Sequence, residues 1–173
     1  MTFVLDLIIK IFILFLLFIT YKNYKRNNRM LYREYNAGRR FVGRFDHGKD
    51  LVSSLEDICV ENKIEMAVFS VIGAVLSVTL GCYDQKKQAY ISFQENSPLE
   101  IASCTGNISL KDRKPFVHAH AVLSDKQGKT VGGHLFSKTP VFAGEFDIQE
   151  LKGKPFSRKY DRETGLMLWS NEI

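Results

Sequence analysis

No C-x-x-C pair occurs in the 173 residues, and the three cysteines, Cys59, Cys82 and Cys104, are odd in number and widely spaced. That pattern excludes a zinc ribbon, a dithiol redox motif and a disulfide framework. Each thiol has apolar neighbours and is expected to be buried, in a reducing compartment. The chain also lacks internal repeats, low-complexity tracts and any sign of a second folded domain. Its larger part lacks surplus positive charge as well. The net charge is +5, but residues 22–44 hold eight basic residues against one acid, whereas from residue 45 onward 17 acids face 15 bases. A duplex-binding domain matches a basic face to the phosphate backbone, and a balance of −2 offers no surplus for one.

What is present is 45% hydrophobic and 12% aromatic residues, sufficient for one core of ordinary size. The basic stretch follows an apolar one, "FVLDLIIKIFILFLLFITY" at residues 3–21, where 16 of 19 positions are apolar and Asp6, Lys10 and Thr20 interrupt. As a helix it would run about 28 Å, close to the thickness of a bilayer's hydrocarbon core. The basic residues come after it and no A-x-A-like site appears, so a retained anchor is expected rather than a cleaved signal. With Lys22, Lys25, Arg26, Arg29 and Arg33 just beyond the span, the positive-inside tendency predicts a membrane-anchored protein whose domain faces the cytoplasm. Those cations would also meet anionic lipid headgroups. Two other readings stay open: an interfacial helix, because Asp6 and Lys10 break the span, and a natural start at Met30, which would make the protein cytoplasmic. The expected organisation is a hydrophobic segment over 1–21, a basic linker over 22–34 and one globular domain over 35–170.

Within that domain, Leu51, Val52, Leu55, Ile58 and Cys59 recur at helical spacing over residues 49–63, with Asp50 as candidate cap and Glu56, Asp57 and Glu61 facing water. The period then changes. "MAVFSVIGAVLSVTLGCY", broken by Gly73 and Gly81, reads as strands, as do the alternating "QAYISFQE" and "LEIASCTGNISL". An α+β fold is expected, a mainly antiparallel sheet packed with one or two helices, plus the N-terminal hydrophobic helix.

"FVHAHAVLSDKQGKTVGGHLF" holds three of the four histidines. The spacing of two puts His118 and His120 on one face of a strand. A three-residue loop, Lys126, Gln127 and Gly128, with Gly128 in the left-handed position of a bulge, would pair Asp125 with Lys129 and set His120 opposite His134. His118 is then the diagonal neighbour, at about 7 to 8 Å. A loop one residue longer or shorter would throw His134 to the other face. Three converging imidazoles suit an open tetrahedral site for Zn2+ or another imidazole-favouring divalent metal, and Gly132 and Gly133 would leave room beside it. The alternative is three histidines bonded to their neighbours on a half-buried strand. His47, in "DHGKD", reads as a surface residue.

The succession "GRRFVGRFDHGKDLVSSLEDI", "FSVIGAVLSVTLGCYD", "PLEIASCTGNISL", "PFVHAHAVLSDKQGKTVGGHL" and "GEFDIQEL" resembles the PPC domain, the plant and prokaryote conserved domain of plant AT-hook nuclear proteins and single-domain prokaryotic homologues. The likeness covers about residues 35–167. It implies a sandwich-like fold around an antiparallel sheet, a homotrimer, and His118, His120 and His134 as metal ligands. Two departures limit it. "GRRF" and "VGRF" lack the proline of an AT-hook, so the nuclear DNA-binding role does not transfer, and the apolar N-terminal segment is peculiar to this chain. Three functions follow as expectations: a trimeric binding or assembly module at the membrane face with a three-histidine site, a metal-dependent enzyme with Glu100 or Glu145 as general base, and a DNA-associated regulator resting only on residues 22–44.

Overall fold

The computed structural model describes residues 11–18 and 30–171, in two units, Met1–Arg33 and Glu34–Ile173. In the larger unit the change of hydrophobic period marks the change from helix to strand. Helix α1 (Leu51–Glu61) starts at Asp50, whose Oδ1 accepts from the Ser53 N–H at 2.9 Å and whose Oδ2 accepts from the Thr139 N–H at 2.8 Å. One carboxylate thus caps the helix and ties it to a distant loop. Leu51, Leu55 and Cys59 are buried along one stripe, each large side chain worth about 1.5 to 3 kcal/mol. The helix packs on β6, where Glu56 is half-buried and accepts from the Val117 N–H at 3.1 Å, rather than facing water as expected.

Ten strands form the sheet: β1 (Asn36–Arg44), β2 (Ala67–Val75), β3 (Val78–Asp84), β4 (Ala89–Glu95), β5 (Leu99–Lys111), β6 (Lys114–Ser124), β7 (Thr130–Phe136), β8 (Val141–Lys152), β9 (Ser157–Tyr160) and β10 (Met167–Ser170). The order is β1-β8-β2-β5-β6-β7-β3-β4, antiparallel throughout, while β9 joins β5 in parallel and pairs with β10. Val71, Val75, Val78, Leu80, Ile108, Leu123 and Ile148 fill the face toward α1. This is the mainly antiparallel α+β architecture expected.

Gly73 and Gly81 lie inside β2 and β3 rather than between them. The chain turns at Leu76 and Ser77 instead. Gly73 has φ +128 at a bulge against β5, and a Cβ there would come within 2.3 Å of the Ala143 carbonyl oxygen. The glycine is required by close approach of β8, not by a turn. Of the thiols, Cys59 and Cys104 are buried as expected, with pKa values pushed up to about 12 and about 11, chiefly by burial. Cys82 is exposed although it shares a face of β3 with buried Val78 and Leu80, because the core ends before it: its partner on β4, Ile91, is exposed too.

The expected membrane anchor is corrected. Among the described residues no helix is long and apolar enough to cross a membrane. The helical stretch at residues 11–18 is exposed and would extend only about 12 Å, less than half of a bilayer core. The remainder of residues 3–21 lies outside the described residues, so the placement of the domain at the cytoplasmic face of a membrane has lost its support.

Candidate metal centre

The β6–β7 hairpin closes with the three-residue loop that the spacing suggested. The Asp125 N–H donates to the Lys129 carbonyl at 3.0 Å, and the Gly128 N–H to the Asp125 carbonyl at 2.9 Å. Asp125 Oδ1 also accepts from the N–H groups of Gln127 and Lys129. Gly128 has φ +79, a left-handed conformation that glycine adopts without penalty. The resulting register places His120 opposite His134 and Ser124 opposite Thr130.

Val117, Ala119, Ala121 and Leu123 of β6 turn into the core. Phe116, His118 and His120 therefore share the opposite face, and His134 joins them from β7. The three ring centroids form a nearly equilateral triangle with sides of 5.5, 5.2 and 5.4 Å. One ring nitrogen from each lies within 4.8 Å of the other two. Tyr90 of β4 and Phe136 of β7 pack on His134, with centroids 4.8 and 4.7 Å away.

The electrostatics favour neutral rings at His118 and His134. Burial, then the nearby Arg158 and His120, lower the His118 pKa to about 4, and burial with His118, His120 and Arg158 lowers that of His134 to about 4. A neutral imidazole keeps the lone pair that a metal needs. His134 Nδ1 is moreover buried with no hydrogen-bond partner. Buried polar atoms are nearly always paired, so an orphan on a ring facing two other imidazoles suits a metal ligand better than a satisfied core histidine. The donor set suits Zn2+ and its imidazole-favouring neighbours.

The other candidates stay apart from this trio. His47 is exposed, its Nδ1 2.8 Å from the Phe142 carbonyl oxygen. Glu100 pairs with Ser124, four residues along β6 from His120, and Glu145 lies between β1 and β2; both are exposed. Neither reaches the histidines as a general base. Nothing in the local pattern points to Arg158, Tyr90 or Asn107, which come to the trio from β9, β4 and β5. No periodicity within one strand reports what a distant strand lays across it.

The profile of the family described as the Plants and Prokaryotes Conserved (PCC) domain matches residues 32–152. Among solved structures, a metal-containing protein from Archaeoglobus fulgidus is 44% identical with a TM-score of 0.79, the match covering 82% of this chain and 100% of that one. A plant- and prokaryote-conserved (PPC) protein from Pyrococcus horikoshii is 34% identical with a TM-score of 0.78, covering 83% and 99%. A candidate DNA-binding protein from Bacteroides thetaiotaomicron is 27% identical with a TM-score of 0.72, covering 80% and 99%. Part of the bifunctional protein GlmU of a Synechococcus strain is 29% identical over 122 residues; the match spans 69% of this chain and only 18% of that protein.

Proposed function

Because the chain belongs to the Plants and Prokaryotes Conserved (PCC) domain family, we propose that it is a divalent-metal-binding module working as a homotrimer, with His118, His120 and His134 as ligands. The observation that carries the metal reading is the orphaned, buried Nδ1 of His134 within a triangle of rings. The metal-containing relative from Archaeoglobus fulgidus supports it. Zn2+ or another imidazole-favouring divalent ion suits the site, and with three protein ligands it would keep an open position able to polarise a bound oxygen. The chain's own part is to hold three imidazoles on a rigid pair of strands and to wall them with Tyr90 and Phe136.

Metal analysis of purified protein tests this. The wild type is expected to carry about one ion per chain, and His118→Ala and His134→Ala to lose it, while His47→Ala retains it. Unchanged metal content in both trio variants would end the ligand assignment.

DNA binding is the second reading, carried by the relative described as a candidate DNA-binding protein. Two of the three arginines of β1 speak against it. Arg39 is occupied by Glu150 and Arg40 by Asp147, so neither is free for a phosphate, and the chain beyond residue 44 has a net charge of −2.

A further inference from the structure

Beside the histidines, Arg158 carries a buried positive charge with no negative one to meet it. The residue is 9% exposed. Its Nε donates to Ser109 Oγ at 3.0 Å, Nη1 to the Met167 carbonyl at 3.1 Å and Nη2 to Asn107 Oδ1 at 2.9 Å. All three acceptors are neutral, and among the described residues no carboxylate pairs with it. Its Cζ lies 5.3 Å from the centroid of Phe116 and 5.9 Å from that of Trp169, contacts that offset only part of the cost of burying an unpaired ion. A guanidinium has five N–H donors, so one remains on each terminal nitrogen. Paired donors of that kind take a carboxylate or phosphate in bidentate fashion.

The location gives this charge a use. Asn107 is the cross-strand partner of His118, and Ser109 that of Phe116. The guanidinium, bonded to both, therefore lies over β5 on the histidine face, next to His118. Its charge is felt at His118, His134 and the Tyr90 hydroxyl alike. One face of the sheet thus carries three imidazoles, a cation with no carboxylate partner beside them, and aromatic rings around both.

We propose that Arg158 is an anion-recognition residue and that this face of the sheet takes a small carboxylate- or phosphate-bearing ligand, whose oxyanion Arg158 grips beside the histidine trio. The inference rests on the metal reading for the trio's share of the site, but the Arg158 contact stands on its own geometry. The competing role is structural: Arg158 would only fasten β9 and β10 to β5.

The test uses the full chain loaded with Co2+ and freed of excess metal, titrated with acetate and with inorganic phosphate while the visible absorption is followed. The wild type should show a saturable spectral change with at least one probe, and the tighter of the two identifies carboxylate or phosphate as the ligand chemistry. In Arg158→Gln the affinity should fall about ten-fold or more, at wild-type cobalt content. Arg158→Lys keeps the charge but not the fork and should fall in between. Wild-type affinity in Arg158→Gln, or a wild-type spectrum indifferent to both anions, overturns the proposal. If the glutamine variant does not fold, Arg158→Lys decides alone, and unchanged affinity for both probes overturns it. Should the wild type bind no cobalt, the metal reading fails separately. The 31P line width of phosphate over metal-free wild type and Arg158→Lys then decides, and an absence of Arg158-dependent broadening overturns the anion site.

Discussion

Glu150 is an acid in a place that acids avoid. It is only 5% exposed, yet it accepts hydrogen bonds from the Arg39 N–H at 3.0 Å and from the Arg39 guanidinium at 2.9 Å, with Lys152 Nζ 3.3 Å away. The Arg39 hydrogen bonds hold its carboxyl down to about 2 against the usual 4.5. Since the folded value lies below the unfolded one, the unfolded chain takes up the proton first as acid is added. The stability from this group is complete above about pH 4.5 and is lost as pH falls toward 2. Glu150→Gln should cost about 2 kcal/mol at pH 7, the worth of hydrogen bonds to a charged group, and the cost should shrink on acidification over that window. Urea midpoints measured from pH 7 down to pH 2 check this, and a cost that does not change with pH would refute it. Side-chain facts of this kind were legible only in part. The exposure of His47 could be read from its turn-like neighbours. The exposure of Cys82 could not, because it shares a strand face with buried Val78 and Leu80, and an apolar neighbourhood in sequence does not say how far along a strand the core extends. Arg158 sits in "SRKY", which reads as an ordinary charged stretch until β10 and Asn107 close around it.

At the scale of elements, the β6–β7 hairpin shows why one stretch could be read so fully. Its Gly128, the Asp125 side chain and the alternation on either side all specify the same register, so local and tertiary preferences agree. Helix α1 was legible for the same reason, differing from the expected range only by two residues at each end. The strand glycines were misread because close approach of another strand and a turn leave the same signature in sequence. That distinction predicts two different costs. A Cβ at Gly128 would meet nothing within 4 Å, so Gly128→Ala bears only the left-handed backbone, about 1 to 2 kcal/mol. A Cβ at Gly73 would press on the Ala143 carbonyl at 2.3 Å, so Gly73→Ala bears that clash as well and should cost clearly more. Thermal melts of the two variants rank them, and equal losses would mean that β8 yields where the packing says it cannot.

For the whole molecule the open question is what covers the sheet's last strand. Among the described residues β4 has one neighbour, β3, and every residue from Ala89 to Gln94 is exposed, including Tyr90 at 40%, Ile91 at 56% and Phe93 at 45%. A long edge strand with apolar side chains on both faces invites pairing, and proteins that stay single commonly protect such edges with charge, proline or a covering segment. Between Ala89 and Gln94 this edge has no charge and no proline. Val42, Ile72 and Phe142 add exposed apolar surface around β1, β2 and β8. The homotrimer proposed for this chain would use such surfaces, since contiguous exposed apolar area marks association sites. Light scattering on the eluting protein should then give three chain masses. Phe93→Glu, which places a charge on the edge without touching the core, should shift the mass toward that of one chain while circular dichroism keeps its strand signal. A wild-type protein that elutes at one chain mass across a hundred-fold range of concentration would refute the trimer, and would leave the apolar edge without the partner that its exposure demands.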